Sequence, residues 1–212
     1  MSVAPPIIAG RPLVVVDADE VLLQFLAGLE AYLPAAGLFL DLNSYQLTGN
    51  IRRIDTGEPL EQPAVTAMLK MFHATAGLDL QPVAGAAYAL ADLDRHAQIF
   101  VLTNIAPDLA ERRRANLKAH GLDYPVIANS GLKGPAFAMM ARAAGAAAVF
   151  VDDIPHHHAS VAEAVPGAHQ IHLVADPRLF RMAEPAAQAS LFTSDWREAH
   201  THILKALGVG KA

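Results

Sequence analysis

Apolar, β-rich runs at 13–17, 98–103, 124–129, 147–152 and 169–174 alternate with stretches whose apolar residues repeat at helical spacing. That alternation predicts an α/β fold, a doubly wound parallel sheet with helices on both faces. Pro82, Pro107 and Pro135 suit first-turn positions of the intervening helices, and Gly121 and Gly145 suit their C-terminal stops. Near the C-terminus, Asp195-x-x-Glu198 reads as a capping box ahead of Ala199, Ile203, Leu204 and Leu207.

The first two strands lie roughly 80 residues apart, far more than one crossover helix needs. An insert is therefore expected. Leu22, Phe25, Leu26, Leu29 and Leu33 form one amphipathic stripe, and Val65, Met68, Leu69 and Phe72 form another after Pro63. Between them, 43–61 reads as a loop or a small hairpin. The chain thus divides into an α/β core domain of 1–24 and 81–212 and a mostly helical insert of 25–80, with a core helix near 82–96.

The 212 residues, 53% of them hydrophobic, suffice for one main core with a smaller attached module. Without cysteine there is no disulfide framework and no thiolate metal site, which fits a reducing, cytoplasmic setting. The start, Met1-Ser-Val-Ala-Pro-Pro6, lacks the pattern of a signal peptide, and no run has the length of a membrane span. The net charge is -5 and the basic residues are scattered, so no stripe is suited to a nucleic-acid polymer. The one basic cluster, Arg112-Arg-Arg114, follows Glu111 in a helical stretch and reads as a solvated helix face.

Chemistry concentrates at strand ends. The first run closes in Asp17-Ala-Asp19, the second in Thr103-Asn104 and the fourth in Asp152-Asp153, while Lys133 stands just before a helix start. Carboxyl ends of parallel strands share one edge, so these residues can converge in a single crevice. Four neighbouring carboxylates resist ionisation unless a cation offsets them, and an all-oxygen set suits a hard ion such as Mg²⁺. A lysine and a hydroxyl beside such an ion meet the needs of phosphoryl oxygens. The Asp17-x-Asp19 pair can divide its roles, one carboxylate attacking while the other moves protons.

The order Val14-Val-Val-Asp17-Ala-Asp19, Phe100-Val-Leu-Thr103-Asn104, Lys133 and Val149-Phe-Val-Asp152-Asp153 resembles the haloacid dehalogenase superfamily, chiefly its phosphatases, over nearly the whole chain. The resemblance implies Asp17 as nucleophile and Asp19 as general acid/base, with the Asp19 carbonyl on Mg²⁺. It further implies Thr103 on the phosphoryl group, Lys133 steadying an aspartyl-phosphate, and Asp152 or Asp153 completing the metal site; Asn104, next to Thr103, is a further candidate for substrate binding. The insert matches the helical C1 cap in position, and Asp17-x-Asp19-x-Val-Leu-x-x-Phe25 is also similar to the 5'(3')-deoxyribonucleotidase branch. Two departures stand out. Glu20 replaces a common Gly and stiffens the flap or adds charge at the entrance, and Ile154-Pro-His-His-His158 lacks the further acid often found after the fourth motif.

The expected activity is hydrolysis of a small phosphorylated metabolite, such as a nucleotide or sugar phosphate. A phosphotransferase or mutase shares every motif. A receiver-like phosphoacceptor and a catalytically silent binding module are the readings from other classes; the first would place its lysine after the last acidic strand. Within the insert, Arg52 and Arg53 are candidates to grip a carboxylate or second phosphate on the substrate, the alternative being a solvated pair. His156, His157 and His158 read as loop or helix-start residues without a metal role, because consecutive residues cannot all face one ion. Lys70 reads as surface and Met139-Met140 as core packing.

Overall fold

The structure, a computed structural model, describes residues 6–209. The start of the chain, read above for the lack of a leader, lies outside the described residues up to residue 5, as does 210–212. Each predicted core strand is present, most of them shorter than its apolar run: β1 is Leu13–Val16. Leu22 belongs to a tight turn rather than a helix. The first helix, α1, starts only at Phe25 and ends at Tyr32.

The insert continues through β2 (Leu38–Leu40) and β3 (Ile51–Arg53), which pair antiparallel, and then α2 (Gln62–Ala74). The loop-or-hairpin alternative thus resolves as a hairpin whose first strand precedes the expected segment. Pro63 sits in the first turn of α2, where its missing N–H costs nothing. Leu29, Leu33, Ile51, Val65 and Phe72 are buried together, with Phe25 packed edgewise and Tyr32 tilted on the Phe72 ring. Chain entry and exit lie side by side. The Gln24 N–H donates to the Gln81 carbonyl and the Val83 N–H to that of Leu22. Pro82 serves in this crossing, bridged to Leu23, and not in a helix; α3 begins later, at Ala86, and ends at Leu93.

From there strands and helices alternate: β4 (Gln98–Thr103), α4 (Ala110–Ala119), β5 (Val126–Ala128), α5 (Gly134–Ala144), β6 (Ala148–Asp152), α6 (Pro155–Ala164), β7 (His169–Leu173) and α7 (Pro177–Met182). A strand not expected from the sequence, β8 (Leu191–Thr193), precedes α8 (Trp196–Ala206). Three residues between serines are too short to show a period. Pro107 opens a short 3-10 turn before α4, Pro135 lies in the first turn of α5, and Gly145 caps α5 in the left-handed region. The α8 cap differs from a capping box. Asp195 accepts from the Arg197 N–H, while Glu198 takes the Thr193 hydroxyl and that same hydroxyl accepts the Asp195 N–H.

The sheet is six-stranded and parallel, in the order β5-β4-β1-β6-β7-β8. Alternation along β1 sends Val14 and Val16 into the core shared with α3, α8 and the insert, and Leu13 and Val15 into the core beneath α5 and α6. Burial on both faces stabilises the central strand, and a fully buried Val or Leu contributes roughly 1.5–3 kcal/mol. Strand order reverses at β1, so the crevice beyond its carboxyl end opens between β4 and β6. No described helix is long and apolar enough to cross a membrane.

Candidate active site

Register alone brings the acids together. Val16 is level with Val101 and Val151, and the Asp17 N–H continues the ladder to the Val151 carbonyl at 2.9 Å. Asp17 therefore leaves β1 beside the end of β6, where Asp152 closes the strand and Asp153 follows. Suitable oxygens of Asp17, Asp152 and Asp153 lie within 4.8 Å of one another, and all three residues are buried.

Lys133 arrives from the opposite layer. It forms the N-cap of α5, is 1% exposed, and places Nζ 2.7 Å from both Asp17 Oδ1 and Asp152 Oδ2. The hydrogen bond it donates goes to Asp152. Its depth depends on Gly134, since a Cβ there would stand 2.2 Å from the Ser160 carbonyl oxygen of α6. Only glycine lets α5 approach α6 this closely.

Two carboxyls thus share one ammonium, with a third, Asp153, beside them. Burial pushes Asp17 up to about 7, with Asp152 and Asp19 adding to the rise against the pull of Lys133. Burial and then Asp152 push Asp153 well above the usual carboxylate range. For Asp152 burial is the largest influence and acts upward too, yet Lys133 together with His157 and His158 outweighs it and its pKa falls. Lys133 is the converse: burial lowers it, and Asp152 and Asp17 raise it further than that. A trio that ionises only at the cost of such repulsion, made of hard oxygens, fits a divalent cation.

Asp19 is not part of this trio. Its carboxylate turns toward α4 and α2, with Oδ1 3.0 Å from Arg113 Nη2 and Oδ2 3.8 Å from His73 Nδ1. Here the sequence reading fails. Arg113 was expected on a solvated face but is completely buried, whereas Arg114 pairs with Asp123 near the surface. Arg113, Asn116 and Leu117 fall at i, i+3 and i+4 and form the buried face of α4, but with Leu117 its one apolar member no apolar stripe marked that face.

Thr103 closes β4 and is buried, its carbonyl accepting the Ile105 and Asn129 N–H groups. Asn104 is exposed and acts as a brace, donating to the Gly131 carbonyl and accepting from the Asn129 amide. Arg52 is committed inside the insert, to Asp41 at 2.9 Å and the Gly57 carbonyl, and Arg53 is exposed on the hairpin. Neither is paired with the acidic trio.

His156, His157 and His158 open α6, as expected of helix-start residues. His158 lies between the Gln170 side chain and the Asp152 carbonyl, so it braces the end of β6. Lys70 is exposed, and Met139 is exposed too while Met140 alone packs in the core.

Two insert residues missed by the sequence reading reach the site. Besides His73, Tyr45 donates its hydroxyl to the Asp153 carbonyl at 2.7 Å and lies 3.2 Å from Asp153 Oδ2. Glu20 turns out to be a clasp, not an entrance charge. It is buried at φ 61, and its carboxylate accepts the N–H groups of Leu26, in α1, and Asp176, before α7. Burial holds its pKa near 7 against those two bonds. The flap is stiffened because the start of the insert and the core loop before α7 are tied to one side chain.

No family model matches the sequence, and a search of curated proteins finds no match. Solved structures do match. A HAD family hydrolase from Deinococcus radiodurans R1, with bound phosphate and sodium, has a TM-score of 0.62 at 19% identity, covering 95% of this chain and 98% of that one. An L-2-haloacid dehalogenase from Xanthobacter autotrophicus, with chloropropionic acid covalently bound, has a TM-score of 0.61 at 15% identity, covering 91% and 98%. A magnesium-bound protein of the HAD-hydrolase type from Bacillus subtilis has a TM-score of 0.57 at 13% identity, covering 93% and 99%. The fold is therefore that of the haloacid dehalogenase-like hydrolases.

Proposed function

Starting from a haloacid dehalogenase-like fold, we propose that this chain is a Mg²⁺-dependent phosphatase that hydrolyses a small phosphorylated metabolite through a phosphorylated Asp17. One observation carries the reading: a buried Lys133 lies 2.7 Å from both Asp17 and Asp152, while Asp19 stands apart from them with its own partners. Two carboxylates in such different surroundings suit two different roles. The phosphate bound to the Deinococcus protein and the magnesium of the Bacillus protein support the same chemistry on this fold.

Asp17, Asp152 and Asp153, with the Asp19 carbonyl, are the residues to hold Mg²⁺, which when bound supplies charge neutralisation for the carboxylates and the phosphoryl oxygens. An Asp17 oxygen attacks phosphorus as the ester P–O bond breaks, and Asp19 gives its proton to the leaving oxygen. Asp19, now a base, takes a proton from water; that water attacks the aspartyl-phosphate, releasing phosphate and restoring the Asp17 carboxylate. Lys133 steadies the anionic group on Asp17 and Thr103 offers a hydroxyl to it. Residues 25–80 act as the cap, supported by Tyr45 at Asp153 and His73 at Asp19, one insert residue at each end of the site.

Purified protein is expected to release phosphate from an aryl phosphate with Mg²⁺ and to stop when the metal is chelated. Asp17→Asn should be inactive. Ordinary turnover by that variant would overturn the assignment, and labelled phosphate recovered on an added sugar instead of in water would point to a phosphotransferase.

A further inference from the structure

Around Asp19, buried nitrogen groups of Arg113 and His73 gather without enough hydrogen-bond partners to satisfy them. The Arg113 guanidinium is 0% exposed, and its Nε and Nη1 have no hydrogen-bond partner. Its Nη2 is close to Asp19 Oδ1 at 3.0 Å, yet the pair is not aligned as a hydrogen bond. His73 Nδ1 is likewise buried and unpartnered. A buried guanidinium with idle N–H groups is costly unless something occupies them.

Space for that something is adjacent. A cleft of about 290 Å³ runs between Lys70 and His73 of α2 and the loops after β4 and β5, floored by Asn104 and Asn129, and no carboxylate lines it. Its one wall charge is the Lys70 ammonium. Phe25 stacks on the His73 ring and Phe72 packs tilted against it, the three rings forming one cluster that holds His73 beside Asp19. His73 joins the cleft to Asp19, the proposed proton donor, and Arg113 stands behind that wall at 3.0 Å from Asp19.

We propose that Arg113, His73 and Lys70 form a site for a second anionic group, so that the preferred substrates are phosphomonoesters whose alcohol portion carries a carboxylate or a further phosphate. The inference rests on the phosphatase reading above and names its substrate class. Arg113 is the specificity-determining residue. A planar anion satisfies its idle fork of N–H donors, as Asp19 at its present angle does not, and so releases Asp19 toward the leaving oxygen. Arg52 and Arg53 were the cations expected in this role. Arg113, supplied by the core helix α4, takes their place.

The test compares n-alkyl phosphates with ω-carboxyalkyl and ω-phosphoalkyl phosphates of matched chain length. At the best length, wild-type kcat/KM for a charged member is expected to exceed that for the alkyl member by about tenfold or more, the worth of one charge-assisted contact. Arg113→Met should bring that ratio close to one, and Lys70→Gln should lower it. Which charged series wins identifies the anion as carboxylate or phosphate. Should Arg113→Met fail to fold in a melting experiment, Arg113→Lys serves, since it keeps the charge but loses the fork and should cut the ratio.

A ratio near one in the wild type at every length, or an undiminished ratio in a folded Arg113 variant, would overturn the proposal. Failure to turn over any phosphate ester, the aryl phosphate included, would instead sink the phosphatase reading. The anion site is then read without turnover, by whether ω-carboxyalkyl phosphonates raise the melting temperature more than alkyl phosphonates do, and whether Arg113→Met abolishes the difference. Equal shifts in the wild type would count against the site.

Discussion

Gly134→Ala tests how Lys133 is placed. The added Cβ would meet the Ser160 carbonyl oxygen at 2.2 Å, the Ser160 Oγ at 2.4 Å and the Ser160 carbonyl carbon at 2.6 Å. Ordinary contact needs more than 3 Å, so α5 must retreat from α6 by roughly 1 Å. Overpacking of this kind costs about 1–3 kcal/mol. Lys133 is the residue next to the obstruction, and its Nζ now lies 2.7 Å from two carboxylates, so the same displacement breaks at least one of these contacts. A misplacement of about 1 Å near reacting atoms costs on the order of a hundredfold in rate. Aryl-phosphate turnover should therefore fall by about that factor, mainly in kcat, with a lowered urea midpoint. Adding Ser160→Ala should not rescue it, because the nearest obstructing atom is main chain. Wild-type kcat in Gly134→Ala would refute the claim that helix contact sets the lysine.

Glu20→Gly should destabilise despite relieving the left-handed φ. The relief is about 1–2 kcal/mol, while the two lost bonds to Leu26 and Asp176 N–H groups are worth roughly 1.5–3 kcal/mol each; urea unfolding near pH 8 reads the net loss, and a gain would contradict the clasp. Tyr45→Phe removes the hydroxyl on Asp153 and should weaken Mg²⁺ activation several-fold, measured as the metal concentration for half-maximal rate, with about 1 kcal/mol lost in stability. His172 gives a pH dependence. Its Nδ1 accepts the Ala186 N–H and its Nε2 donates to the Asp153 carbonyl, and burial lowers its pKa to about 4. Between pH 4 and 6.5 the unfolded chain binds the extra proton, so stability is full above about 6.5 and declines as pH falls toward 4. The loss is on the order of 3 kcal/mol at most, and His172→Gln should flatten that part of the profile in chelated buffer; an unchanged slope would refute it.

What the sequence determined by itself was the sheet and the acids on it. Apolar runs buried on both faces declare themselves, and parallel register then carries Asp17, Thr103, Asp152 and Asp153 to one edge with little further choice. Lys133 was legible too, because Pro135 and Gly145 bracket the helix it caps. The short edge strand β8 was not, since three residues carry no period.

The tertiary structure alone decided what faces Asp19. Arg113 is one of three adjacent arginines with nothing in composition to distinguish it. Only the packing of α4 against the end of the insert buries it, and only the fold of 25–80 sends His73 and Tyr45 into the crevice while tying Arg52 to Asp41. Local periodicity fixes which way a residue points from its own element. It says nothing of which element will stand opposite, and for a buried charge the partner opposite decides both its energy and its use.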